Sequence, residues 1–495
     1  MNLSYSVVLS VLCLLIYFFA WKRASRNDYT ISLILLMLGG IVLRLYTAAD
    51  LYLHPWDERY HALVAKHLMS HPLLPTLYEH PVLPFDYTSW TSNHVWVHKQ
   101  PLPLWTMAIS MSVFGVNELA LRLPSVVLST IGIGLTFFIA SYIFSKKLAW
   151  LAAFFFSING LIIELSAGRV ATDHPDIFFM FFIELAIVFS ILFVQKQRNA
   201  FNLLAGLSIG AAILSKWLPA LIVLPVWLLI VLDSKRFTHK AIAIQLSVIL
   251  VTILLVALPW QLYIYQYFPA EAAWEASFNI KHITTVLDER TGSFWYFLDQ
   301  IRINYGELIY LPLIWFIWKY FKDSQNKKYL ALLIWICIPL IFFSLAKTKM
   351  QAYILFISPA LFIITAAFFF EIKEWDVPQN KKWLKTAILL LLIALPVRYC
   401  IERVKPFDMT NRNPDWAQDL KSFKNNKSPQ GVLFNYPRPI EAMFYTQLTV
   451  YPDLPDHHTL KQLTERGYTI FINDNGKLPA DIQQMGNLNI VKLRE

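Results

Sequence analysis

Over most of its first 400 residues the chain does not interleave apolar and polar positions. It strings long apolar runs together with short polar breaks. An apolar run of about 20 residues is what a helix needs to cross the hydrocarbon core of a bilayer. Twelve stretches approach that length: 5–20, 30–48, 119–144, 150–166, 177–194, 201–214, 218–232, 241–260, 305–321, 329–346, 353–370 and 384–399. They predict a mainly α fold, a multi-pass membrane helix bundle of about twelve spans. Two shorter helices are expected between the second and third spans, at 57–69 and 102–114. The second is apolar but short, and is expected to lie along the interface rather than cross it. Beyond residue 400 the pattern changes. Short apolar runs at 431–435, 469–473 and 489–493 read as buried strands, alternating with helical stretches near 439–446, 457–466 and 480–485. That alternation predicts a small C-terminal α/β domain. It contains no Gly-rich phosphate loop, so nucleotide binding is not expected there.

The polar breaks carry the orientation. No Lys or Arg precedes the first apolar run, while Lys22, Arg23 and Arg26 follow it. This run therefore reads as a membrane helix entering with its N-terminus outside, not as a conventional signal peptide. Threading the spans from there makes every inner loop basic, from Lys146 and Lys147 to Lys381, Lys382 and Lys385. The expected organisation is an extra N-terminal helix with a basic loop (1–28), a transmembrane catalytic module (29–400) and a soluble outer-face domain (401–495). The long outer loops are 51–104, 167–176 and 261–304. The expected location is the plasma (inner) membrane. The chain is 56% hydrophobic, with mean hydropathy +0.47 and a formal charge of +10. Topology accounts for that charge, and no motif asks for a nucleic-acid partner. The three cysteines show neither metal spacing nor a disulfide pattern.

Candidate chemistry collects on the outer loops. Asp57 follows Pro55-Trp56 where a helix would begin. Backbone N–H groups and the helix dipole favour an ionised carboxylate there, and such a group can take a proton from an attacking hydroxyl. A plain N-cap is the competing reading; the neighbouring Glu58 and the apolar setting favour chemistry, with Glu58 as a second catalytic carboxylate. Lys99, stiffened by Pro101 and Pro103, suits a lipid-linked phosphate, against the commoner fate of a snorkelling lysine. The second loop gathers Arg169, Asp173, His174 and Asp176 at one membrane edge, where they could bind a sugar, hold a partner of Asp57 or coordinate a divalent metal. The spacing matches no metal motif, so no metal ligand is assigned and a divalent cation stays an open alternative. Lys216, Arg290, Lys347 and Lys349 are further outer-edge cations, where positive charge is normally scarce. Arg44, near the outer end of a span, is expected to snorkel. No His-Glu-x-x-His or Walker-type loop occurs.

These fragments, taken in order, resemble the membrane glycosyltransferases of the C superfold, in the family of protein O-mannosyltransferases and the lipid A aminoarabinose transferase. Asp57-Glu58-Arg59-Tyr60-His61-Ala62 is similar to that family's first-loop Asp-Glu-x-Arg-Tyr-Ala, with one residue fewer before the arginine. Lys99-Gln100-Pro101-Leu102 resembles its Lys-Pro-Pro-Leu, and Arg169 with Asp173 or Asp176 its Arg…Asp edge. Ser215-Lys216-Trp217-Leu218-Pro219 and Lys349-Met350-Gln351-Ala352-Tyr353 are looser counterparts. The resemblance implies transfer of a sugar from a polyprenyl-phosphate donor to a lipid, glycan or protein hydroxyl, with inversion, on the outer face. It implies Asp57 as general base, and Lys99, Lys349 and Arg290 on the leaving phosphate. Arg59, Tyr60, Arg169, Asp173, Asp176, Lys216 and Tyr353 would bind sugar or acceptor. The rival reading is a transporter or lipid-sugar flippase. Such proteins commonly show inverted repeats and polar groups at the midplane, and neither is visible here.

Overall fold

The computed structural model describes residues 3–323, 326–408, 410–423, 430–483, 485–486 and 488–495. Each of the twelve apolar stretches is mostly helical, with breaks inside 150–166 and at the start of 305–321. Among the described residues, eight helices are long and apolar enough to cross a membrane on their own: Val7–Ser25, Tyr29–Ala48, Glu118–Ile143, Asp173–Lys196, His239–Tyr267, Lys327–Leu345, Gln351–Glu374 and Gln379–Val404. A ninth is completed by Lys146–Ser157 and Gly160–Ser166, bent by 51° at their junction. Asn159 makes the bend, because its side chain accepts the Ile162 N–H at 3.1 Å and restarts the helix. The remaining stretches form shorter helices. The one expected at 305–321 starts only at Tyr310, since Gly306 at φ 105° closes the preceding Tyr296–Tyr305 helix.

Asp173–Lys196 and Gln351–Glu374 form the interior of the bundle and are largely apolar all round, as helices enclosed by other helices must be, with Glu184 buried on the Thr136 hydroxyl. Arg44 departs from expectation. Instead of snorkelling it is fully buried, its guanidinium donating to Ser129 Oγ (2.9 Å) and to the Gly40 and Ser157 carbonyls (3.0 and 3.1 Å). Three acceptors inside the bundle replace the water it would have sought.

The short helices Asp57–Leu68 and Pro101–Phe114 form as expected at one end of the bundle. Above them sits a four-stranded parallel sheet in the order β2-β1-β3-β4, with β1 Gly431–Phe434, β2 Thr449–Val450, β3 Thr469–Asn473 and β4 Asn489–Val491. The two-residue β2 was not expected. Residues 480–483 of the last expected helical stretch are helical, and residue 484 lies outside the described residues. Parallel strands need crossovers, and the Pro439–Tyr445 and His457–Glu465 helices supply the first two. The sheet domain shares a core with the membrane-edge helices: Tyr60, Leu63 and Met107 pack with Leu433, Tyr436, Ile440 and Phe444. Lys66 adds a polar clamp, its ammonium donating to the carbonyls of Met443 (2.7 Å), Phe444 (3.0 Å) and Thr446 (2.8 Å) at the end of the Pro439–Tyr445 helix.

Candidate active site

Successive residues of a helix point about 100° apart, and the two carboxylates that open Asp57–Leu68 accordingly meet different surroundings. Glu58 turns inward and is fully buried. Arg122, also fully buried, grips it with two bonds, Nε to Oε1 (2.6 Å) and Nη2 to Oε2 (2.9 Å). The same guanidinium donates to the carbonyls of Ala48, Asp50 and Tyr52. His54 lies 2.7 Å from Glu58 Oε2 and 3.1 Å from Asp50 Oδ2, and Asp50 in turn accepts from Arg169 (2.9 Å) and Arg412. Burial works against the Glu58 charge, but Arg122 outweighs it and holds the carboxyl well below its ordinary value. Glu58 is the keystone of a buried ionic network.

Asp57 faces the other way and stays partly open. Its Oδ2 accepts from Lys99 Nζ (3.3 Å) and from the backbone N–H of Thr172 (3.2 Å). Its Oδ1 takes no hydrogen bond from the described residues. Burial opposes its charge, while Lys99 and then His61 more than compensate and keep it below the usual carboxylate range. Lys99 is raised in return, because Asp57 and then Glu275 outweigh its own burial. The pair is ionised at neutral pH. Lys99 also lies over the Trp90 ring (5.5 Å), which packs on Tyr60 at 4.5 Å.

A cavity of about 310 Å³ is lined by Ala171, Arg290, Thr291, Tyr296, Lys349, Met350 and Gln351, with neither Asp57 nor Lys99 in its lining. Two links tie it to Asp57. Ala171 precedes the Thr172 amide, and the Arg290 guanidinium lies over the Trp56 ring at 5.7 Å. Arg290 has no ion pair among the described residues. Lys349 does line the cavity, but its ammonium turns back to the carbonyls of Phe343, Ser344 and Ala346, capping the Lys327–Leu345 helix. Asp176 pairs with Lys216, whose ammonium lies over Tyr353 at 5.1 Å. Asp173 is fully buried against His61 (2.9 Å). Arg59 turns to the sheet domain, donating to the buried Glu441 at 3.2 Å and to the Tyr60 hydroxyl at 3.3 Å. The structure thus pairs Asp57 with Lys99 and sets Arg290 and Lys349 in the wall of a cavity that reaches the pair through Ala171 and Trp56. It places Glu58 and Arg169 in the network behind, and Arg59 and Tyr60 toward the C-terminal domain. Among the described residues, no group of three or more His, Cys, Asp or Glu is arranged to hold a metal ion.

Residues 98–262 match the family described as dolichyl-phosphate-mannose-protein mannosyltransferase. The whole architecture superposes on the crystal structure of ArnT from Cupriavidus metallidurans in the apo state with a TM-score of 0.63, covering 93% of this chain and 96% of that one at 15% identity. The two proteins share one fold. The same protein bound to undecaprenyl phosphate matches with a TM-score of 0.60 over 88% and 87% of the two chains, at 15% identity. The archaeal oligosaccharyltransferase AglB from Archaeoglobus fulgidus matches with a TM-score of 0.51 over 84% and 64%, at 14% identity. Among curated relatives, the undecaprenyl phosphate-alpha-4-amino-4-deoxy-L-arabinose arabinosyl transferase of Shewanella sediminis is 30% identical over 280 residues, 53% of this chain and 48% of its own length. The protein of that name from Pseudomonas savastanoi is 25% identical over 290 residues, 54% and 51%. The chain spans about half the length of the curated relatives it matches.

Sequence reasoning passed over several residues. Arg122 sits in an apolar run that reads only as a span, although a lone arginine in such a run is itself a signal of a buried partner. Thr172 acts through its backbone amide, which no side-chain pattern reveals. His61 lies inside the motif, one turn after Asp57, and that spacing was the available clue.

Proposed function

We propose that this protein transfers a sugar from a polyprenyl-phosphate donor to an acceptor hydroxyl of a lipid, glycan or protein, at the outer, periplasmic face of the inner membrane. The observation that carries the reading is the partly open Asp57 carboxylate, with Lys99 on one oxygen and the other unengaged, beside a cavity walled by Arg290. The acceptor hydroxyl gives its proton to Asp57 as its oxygen attacks the anomeric carbon. The bond from that carbon to the phosphate oxygen breaks, and polyprenyl phosphate leaves from the opposite side with inversion. Negative charge grows on the leaving phosphate, where Lys99 and Arg290 stabilise it. Lys349 shapes the wall. Basic inner loops orient the site outward, and the shared fold with ArnT supports undecaprenyl phosphate as the carrier.

The test is Asp57→Asn in membranes supplied with labelled undecaprenyl-phosphate sugars, aminoarabinose and mannose among them. The expected result is normal expression, wild-type release of undecaprenyl phosphate, and none from the variant. Near-normal transfer by Asp57→Asn removes the base assignment. A wild type that moves the intact donor across the bilayer without consuming it is a flippase instead.

A further inference from the structure

Three contacts fasten the turn at 168–173 onto the helix that carries Asp57. Gly168, at φ 72°, lies so close to Glu58 that a Cβ there would sit 2.1 Å from Oε1. The Thr172 amide donates to Asp57 Oδ2 at 3.2 Å. Asp173 Oδ1 lies 2.9 Å from His61 Nδ1 and also accepts the His174 amide. His61 and Asp57 are four residues apart and share one face of the helix. The turn therefore meets that face twice, on Asp57 and on His61.

Thr172 is the strained element. Its φ of 66° is left-handed, a conformation that costs a residue with a Cβ about 1–2 kcal/mol and persists only when its neighbours enforce it. Those neighbours are Asp57 on its amide and, one residue on, the buried His61–Asp173 contact. His61 and Asp173 are both fully buried, and each has a second polar atom, His61 Nε2 and Asp173 Oδ2, without a partner among the described residues. Their mutual bond is one of three polar ties between the two elements, with the Thr172 amide on Asp57 and His174 Nε2 at 3.4 Å from Glu58 Oε1, and neither His61 nor Asp173 opens to substrate.

We propose that His61 is a positioning residue. Its bond to Asp173 holds Thr172 left-handed, so that the Thr172 amide fixes Asp57 Oδ2 and leaves Oδ1 aimed at the acceptor. Asp173 acts as a hydrogen-bond acceptor and not through its charge or by touching sugar. This inference rests on the reading of Asp57 as the base. Without the bond, Thr172 relaxes, Asp57 keeps only the flexible Lys99, and its attack geometry loosens. A misplacement of about 1 Å costs on the order of 100-fold in rate.

The test compares His61→Ala, His61→Asn, Asp173→Asn and Asp57→Asn in envelope membranes of a deletion strain. The readout is release of undecaprenyl phosphate from its aminoarabinose and mannose conjugates. An Asn at 61 presents an N–H close to where the imidazole Nδ1 stood, and Asp173→Asn keeps a carbonyl acceptor. His61→Ala should lower kcat about 10–100-fold with donor KM unchanged, while His61→Asn and Asp173→Asn stay within about fivefold of wild type. Folded yield after detergent extraction is read alongside. Well-folded but inactive Asp173→Asn overturns the inference, because the charge of Asp173 is then required. So does His61→Ala at wild-type rate, or a loss in His61→Ala that appears in folded yield alone. An active Asp57→Asn, or a wild type that consumes neither donor, sinks the functional reading itself.

Discussion

Replacing Glu58 by Gln should unfold the protein before it touches the chemistry. The substitution keeps size and hydrogen-bonding capacity but leaves the Arg122 guanidinium buried without its counter-charge. Arg122 and Glu58 are both fully buried, with contacts of 2.6 and 2.9 Å. Two unit charges about 4 Å apart at an effective dielectric of about 20 attract by about 4 kcal/mol. Removing one member of a buried pair typically costs about 3–5 kcal/mol. Asp50, one shell away and paired with Arg169 and Arg412, returns part of the missing charge, so the loss should fall near the lower end, about 3 kcal/mol. The assay is unfolding of the purified protein in mixed micelles, with transfer measured per folded molecule. The expected outcome is a large loss of stability with transfer by the folded fraction within about tenfold of wild type, since a base in contact with substrate would cost far more. Unchanged stability together with abolished transfer would refute the reasoning and place Glu58 in the reaction. The pH dependence follows the same sign. Because the folded Glu58 carboxyl lies below its unfolded value, its contribution is fully present above the unfolded pKa of about 4.3 and lost as pH falls through the folded value.

Further outcomes can be checked individually. With Asp57 held below the usual carboxylate range, the acid limb of kcat should lie below that range, and Lys99→Met should move it to higher pH by removing the largest of the groups that oppose burial; a limb that stays put in a kcat–pH series argues against Asp57 as the titrating base. Gly168→Ala adds a left-handed residue and a Cβ against Glu58, so detergent-extracted yield should drop with a loss of about 2 kcal/mol or more, and normal yield would count against the packed turn. Lys349→Met should weaken the end of the Lys327–Leu345 helix by about 1 kcal/mol while donor KM changes little; a large rise in donor KM would show the ammonium turning onto phosphate.

Much of the fold could be read from the chain because apolar run length is a strong signal and every run became helix. Breaks set by single residues were less visible. Gly306 delayed one helix and Asn159 split another, each by local backbone geometry that an average over twenty residues hides. The two-residue β2 has no pattern of its own and exists because β1 offers it an edge. In the site, the Asp57–Lys99 pairing across two loops was legible from residue type and position. Its neighbour Glu58 looked equivalent in sequence, and only the rotation of the helix separates an open carboxylate from one locked on Arg122. Lys349 sits where expected along the chain, yet its ammonium serves backbone carbonyls. Position is readable from sequence, whereas the direction of a long side chain depends on which unsatisfied acceptors lie within reach.

The helix bearing Asp57 is made early in translation, but the residues that roof it, from Leu433 to Phe444, arrive about 380 residues later. At ordinary synthesis rates that interval is roughly 20–80 s. For that time Tyr60 and Leu63 lack the part of their packing that the sheet domain supplies, and Lys66 waits for the three carbonyls it will cap. A ribosome that stops short of the last sheet would release a finished membrane bundle with a bare, adhesive crown, a natural target for quality-control proteases.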